Sequence, residues 1–170
     1  AHKGKFKPQN PHKYIGDPTN IIYRSSWEVI LMDYLDKHQN IKRWSSEEII
    51  IPYFSPIDGK KHRYFPDFFV EQEKEGKIEK ILIEIKPKKQ TVPPTKSLSP
   101  TGKITKSYLN EVKNWGINQA KWNSAIASGV EGMFAPSATQ IQPFCTNALA
   151  SSPFNSFCVA QGNAISPFTS

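Results

Sequence analysis

Pro87, Pro93, Pro94 and Pro100 rule out helix and central strand between Lys86 and Gly102. Each lacks the backbone N–H that a ladder needs, and its ring clashes with a preceding helical turn. The stretch that runs into this barrier is "ILIEIKPKK", Ile81 to Lys89. With the two-residue period of a strand, Ile81, Ile83 and Ile85 share one face, and Leu82, Glu84 and Lys86 share the other. An acid and a base thus stand side by side on a face that begins apolar. A solvated ion pair, worth about 1 kcal/mol or less, is the bland explanation.

The remaining elements surround that strand. Residues 1–20 mix Lys, Pro, Gly and Asn with isolated aromatics and read as an extended basic arm. Trp27, Ile30, Leu31, Tyr34 and Leu35 then recur at three- and four-residue steps. With Ser25 as N-cap and Glu28 at the third helical position, they predict a helix over about 25–38. "EEIIIPYF" and "KHRYFPDFFV" read as two strands about the hairpin signal Asp58-Gly59. A charged turn, "EQEKEGK", leads into the strand at about 78–86. Beyond the prolines, "KITKSYLNEVKNWGINQAKWNSAI" predicts a second helix, broken near Gly116. The fold class expected is α+β: a helix, a three-stranded antiparallel meander and a helix. An irregular C-terminal tail follows, either disordered or wrapped on the domain by its phenylalanines. The boundaries expected are 1–20 for the arm, 21–126 for the core and 127–170 for the low-charge tail.

Charge is unevenly spread. All 22 Lys and Arg lie at or before Lys121, with 14 of the 15 acids; only Glu131 is charged after it. A basic excess of this kind suits a polyanionic partner, most often nucleic acid. Cys145 and Cys158 have no metal-type spacing and read as free thiols. No run of about twenty apolar residues predicts a membrane span, and the lysine-rich start lacks the pattern of a signal peptide. A cytosolic protein is the expectation.

One strand back from Glu84 and Lys86, Asp67 follows Pro66 and interrupts an aromatic run. The order is P-D, a gap, then E-x-K. Phosphodiester cleavage explains such a grouping: two carboxylates offer hard oxygen ligands to Mg²⁺, which polarises the phosphate and generates a hydroxide nucleophile. Lysine, a compact charge with movable donors, orients the attacking water or neutralises developing charge. Glu28, at the edge of the first helix's apolar face, is a fourth candidate, with its capping position as the competing explanation. For Asp67 the competing explanation is a polar residue on an edge strand.

This layout resembles the PD-(D/E)xK nuclease superfamily. More narrowly, "YRSSWE", "IPYF", "GKKHRYFPDFFV", "IEIKPKK" and "KWNSA" are similar to the head completion nucleases of T4-like bacteriophages, themselves related to TnsA-type endonucleases. The resemblance covers roughly residues 3–126. It implies a restriction-endonuclease-like core and a metal-dependent DNA endonuclease that processes packaged DNA before head–tail joining. Mg²⁺ is the cofactor implied, with Mn²⁺ as substitute, and no small-molecule cofactor. It implies Asp67 and Glu84 as metal ligands, Glu28 as a site residue in the first helix and Lys86 as the catalytic lysine. In the mechanism expected from these, the carbonyl of Ile85 joins Asp67 and Glu84 on the metal, and Glu28 holds a second metal or a metal-bound water. Partners implied are DNA and phage head or neck proteins, in host cytoplasm during assembly or in the virion. The family's core continues from the second helix into another strand, and no strand pattern follows Ile126.

Lys3, Lys5, Lys7 and Lys13 on the arm, and Lys88 and Lys89 beyond the active strand, are candidate phosphate contacts. Lys103, Lys106 and Lys113 are weaker ones. His62 reads as a phosphate contact or a plain surface histidine. "KYIGDPT" matches half of a GIY-YIG signature by coincidence, because Pro11 occupies the strand that motif needs. Two other readings remain open: a non-catalytic capsid-neck or DNA-binding protein, and a TnsA-like or restriction-type endonuclease subunit.

Overall fold

The computed structural model describes residues 3–86, 90 and 92–128, and the backbone of 158–161. Helix α1, Ser26–Lys37, starts where the capping pattern requires: the Ser25 side chain accepts the Glu28 N–H. It buries Leu31, Met32, Leu35 and Asp36, so the inward stripe is rotated slightly from the one expected. Ile30, placed on that stripe by its spacing, is 36% exposed.

The central sheet has the order β3-β6-β7-β8, antiparallel throughout: β3 is Ile41–Ser46, β6 Phe68–Lys74, β7 Lys77–Glu84 and β8 Cys158–Gln161. The β6–β7 hairpin closes through Glu75 (φ 51°) and Gly76 (φ 74°), the two left-handed residues of a type I′ turn. The meander differs from expectation in membership. "EEIIIPYF" and "KHRYFPDFFV" do not pair as its first two strands. Instead β4, Ile51–Phe54, and β5, Lys61–Tyr64, form a separate hairpin. The chain breaks at Phe65-Pro66-Asp67, where Pro66 cannot donate to a ladder, and only then enters β6. The third meander strand is β3, which carries a register shift between Ile41 and Arg43. That bulge buries Ile41, Trp44 and Ser45 without strict alternation.

The segment read as a free arm is folded onto the domain. β1, Gly4–Phe6, pairs with β2, Ile21–Tyr23. Between them a single 3₁₀ turn, Pro11–Lys13, delivers Tyr14 edge-on to Trp44 with ring centres 4.8 Å apart. Asp36, fully buried, accepts the backbone N–H groups of Gln9 at 2.7 Å and Asn10 at 3.0 Å.

Helix α2, Lys106–Ala127, is capped by Thr105 and runs unbroken through Gly116. The expected break is absent: Gly116 marks where the helix meets the β4–β5 loop, a Cβ there lying 3.7 Å from Pro56 Cγ. β8 supplies a strand from the tail that had shown no periodicity, paired with Ile81 to Glu84 of β7.

Two apolar cores sit on opposite faces of the sheet. Phe68, Val70, Ile81 and Ile83 pack with α1 and Trp44. Phe69 and Leu82 pack with Tyr53, Tyr64, Trp122 and Ala125. Glu84 shares the face of Leu82, so it emerges beneath the β4–β5 hairpin and α2.

Candidate active site

Asp67 stands where three strand ends meet. Its carbonyl accepts the N–H of Glu47, just past β3, at 3.2 Å. Its carboxylate Oδ2 accepts the N–H of Ile85, just past β7, at 2.6 Å. Pro66 ends the preceding strand, and the backbone bonds on either side fix where the Asp67 side chain goes.

Glu84 and Lys86 are not a solvated pair. Glu84 is 3% exposed. Its Oε2 accepts the Tyr64 hydroxyl at 2.8 Å, and its Oε1 receives the Lys86 ammonium at 2.8 Å. A desolvated carboxylate of this kind costs free energy unless its partners are well placed. Burial and the neighbouring charge of Glu84 push the Asp67 carboxyl up to about 7, against the Ile85 N–H and Lys86, which favour its charged form. Glu28 adds to that upward push through its own charge.

The bonds of Glu28 are those of a capping box. Its Oε2 accepts the Arg24 N–H at 2.7 Å, its Oε1 accepts the Ser25 hydroxyl at 2.8 Å, and its own N–H returns to Ser25 Oγ at 3.2 Å. Arg24 in turn is ion-paired with Glu47. The structure therefore brings Asp67, Glu84 and Lys86 together and keeps the Glu28 oxygens on the helix end. Among the described residues no group of three or more His, Cys, Asp or Glu is placed to hold a metal.

Two residues of the site went unnoticed in the sequence. Tyr64 belongs to an aromatic strand and gives no sign of meeting a carboxylate twenty positions on. Lys121 arrives from α2, its ammonium 5.4 Å from the centre of the Tyr64 ring and 5.8 Å from that of Tyr53. Burial pushes the Lys121 ammonium down, as does Lys86, while Glu84 and Asp67 oppose that shift.

Lys3, Lys5 and Lys7 are exposed. Lys13 is committed elsewhere: its ammonium donates to the carbonyls of Asp36 at 2.8 Å and His38 at 2.9 Å, holding the end of α1. Lys88 and Lys89 lie outside the described residues. Lys103, Lys106 and Lys113 are exposed. His62 binds the Asp58 carboxylate at 2.9 Å within the exposed hairpin. No helix among the described residues is long and apolar enough to cross a membrane.

The donor set fits a hard divalent cation. Asp67 and Glu84 are carboxylates so close and so desolvated that one resists ionising, and a cation between them would relieve that repulsion.

A family model described as the TnsA-like endonuclease N terminal matches residues 38–128. The head completion nuclease of Enterobacteria phage T4 is 44% identical over 125 residues, covering 74% of this chain and 81% of that protein. No solved structure matches the chain significantly.

Proposed function

The chain belongs to the TnsA-like endonuclease family, with a restriction-endonuclease-like α+β core, and from that premise we propose that it is a divalent-metal-dependent DNA endonuclease acting in phage head completion. The observation that carries the chemistry is the meeting of Asp67, Glu84 and Lys86 at the ends of β6 and β7, with Lys86 Nζ 2.8 Å from Glu84.

Asp67, Glu84 and the Ile85 carbonyl would hold Mg²⁺ or Mn²⁺. When bound, the ion supplies Lewis acidity at the scissile phosphate. The protein's own groups do the rest. The Ile85 N–H orients Asp67, and the Tyr64 hydroxyl fixes one oxygen of Glu84. Lys86 holds the other oxygen and sets its positive charge where the attacking water or a phosphate oxygen would lie. Glu28 contributes negative charge at the rim while capping α1. The exposed Lys3, Lys5 and Lys7 supply backbone-phosphate contacts without base readout, so weak sequence preference and strong salt dependence are expected. Lys88 and Lys89 are assigned the same role. DNA in the head is the substrate, and head or neck proteins the partners, during assembly in host cytoplasm.

A plasmid-nicking assay tests this. Wild-type protein should nick supercoiled DNA with Mg²⁺ or Mn²⁺ and not in EDTA, and Lys86→Ala should not. A folded, DNA-binding protein with no metal-dependent cleavage of supercoiled, linear or branched DNA would overturn it.

A further inference from the structure

We propose that Lys121 is a substrate-contacting residue of the site, its ammonium holding a phosphate oxygen of the DNA backbone beside Asp67 and Glu84. The inference rests on the nuclease reading above and adds a residue from a different element, α2, to a site otherwise built from strand ends.

The placement is built rather than incidental. Trp122 and Ala125 anchor this part of α2 in the second core, which fixes the direction in which Lys121 leaves the helix. Its half-buried stem runs to the rings of Tyr53 and Tyr64, and the ammonium lies over both. Tyr64 is the same residue whose hydroxyl binds Glu84, so the ring that supports Lys121 also fixes the carboxylate.

The ammonium has no carboxylate within ion-pair distance among the described residues. Glu84, the nearest natural partner on this face, already has one oxygen on Tyr64 and the other on Lys86. A partly desolvated cation supported, among the described residues, by two aromatic faces is costly to maintain, and an arriving anion removes that cost. Lys86 cannot fill this role fully, because its charge is matched by Glu84. Lys121, with no such carboxylate match among the described residues, carries charge that can meet a phosphodiester's. Lysine suits that task as a point charge on a movable stem. A lysine that merely packs on two tyrosines would work equally well without its charge, and that is the distinction to test.

Lys121→Met keeps the apolar stem and removes the charge; Lys121→Gln serves if Met fails to fold; Lys121→Arg restores charge. Each is compared with wild type by plasmid nicking in Mg²⁺, by binding of a short DNA duplex in EDTA across a salt series, and by thermal melting. Expected for Lys121→Met are an unchanged or raised Tm in EDTA and cleavage slowed by about 10²–10³-fold. The dependence of log affinity on log salt should become shallower by about 0.9, one phosphate contact. Lys121→Arg should recover the salt slope and part of the rate. Wild-type cleavage and an unchanged salt slope in Lys121→Met overturn the inference while leaving the nuclease reading intact. Wild-type protein that binds DNA and never cuts it overturns the nuclease reading, and Lys121's place at a cleaved phosphate with it.

Discussion

Ile85 donates its backbone N–H to Asp67 Oδ2 at 2.6 Å, tying the residue before β6 to the residue after β7. The bond holds a carboxylate in position beside Glu84 although the two acids repel. It also favours the charged form of Asp67, yet burial and Glu84 outweigh it and the carboxyl sits at about 7.

Stability without metal should therefore depend on pH through Asp67. Its folded value lies above the ordinary 3.8, so the folded protein keeps a proton that the unfolded chain has released. The resulting stabilisation is complete below about 3.8 and is lost as pH rises through about 7. Asp67→Asn removes the titration but keeps an acceptor for Ile85. In EDTA at pH 8 the mutant should be more stable than wild type, on the order of 2 kcal/mol, with the difference vanishing at pH 4. Denaturant melts at both pH values check this; equal stability at pH 8 would mean that the carboxylates are not strained.

Metal should reverse that order. At a hundred times its dissociation constant, Mg²⁺ stabilises the protein it binds by about 2.7 kcal/mol. Wild type should gain this and Asp67→Asn should lose most of it, along with cleavage. Thermal melts in EDTA and in Mg²⁺ measure the gain, and identical metal responses would remove Asp67 from the site.

Tyr64→Phe separates orientation from chemistry. Losing the hydroxyl leaves Glu84, buried, with its Oε2 short of a charge-assisted bond. The expected cost is about 1.5–3 kcal/mol of stability. Cleavage should fall by about tenfold rather than disappear, because Lys86 still holds the other oxygen. A Tyr64→Phe protein as inactive as Lys86→Ala would give Tyr64 a direct part in the reaction.

The strand order of acids and lysine was legible because E-x-K obeys the period of two, and burial of Leu82 on the same face carried Glu84 inward. Helix α1 was legible from Ser25 and Glu28. What failed to show was built by distant partners. β3 hid behind its bulge at Ile41/Arg43, and the break at Pro66 looked like the middle of one strand. β1 and β2 are only three residues each, and Asp36 holds the segment between them at Gln9 and Asn10 through bonds spanning more than twenty residues, which local pattern does not reveal. The lysines of the arm looked alike, yet Lys13 serves the end of α1. Lys121 joined the site only because α2 continues straight through Gly116.

Asp36→Ala should release the N-terminal segment. It leaves the N–H groups of Gln9 and Asn10 without their acceptor. The expected loss is about 2–4 kcal/mol, with faster hydrogen exchange concentrated in residues 4–23. Exchange that rises evenly over the whole chain would mean that Asp36 supports the global core instead.

Glu28 offers the sharpest choice between structure and chemistry. As a cap, its side chain needs only to accept from Arg24 N–H and the Ser25 hydroxyl, at 2.7 and 2.8 Å. Glutamine does that nearly as well, since capping boxes use either residue. As a source of negative charge for the site, its contribution reaches Asp67 through space and glutamine removes it. Glu28→Gln should then cost less than about 1 kcal/mol in stability, since the cap survives. Cleavage should fall by about tenfold or more at low Mg²⁺ and recover partly as Mg²⁺ is raised, the signature of weakened cation affinity. Ser25→Ala is the reciprocal control: it should cost about 1 kcal/mol and leave the metal dependence of cleavage unchanged. If Glu28→Gln cuts DNA like wild type at every Mg²⁺ concentration, Glu28 is a cap alone, and the chemistry belongs to Asp67, Glu84 and Lys86.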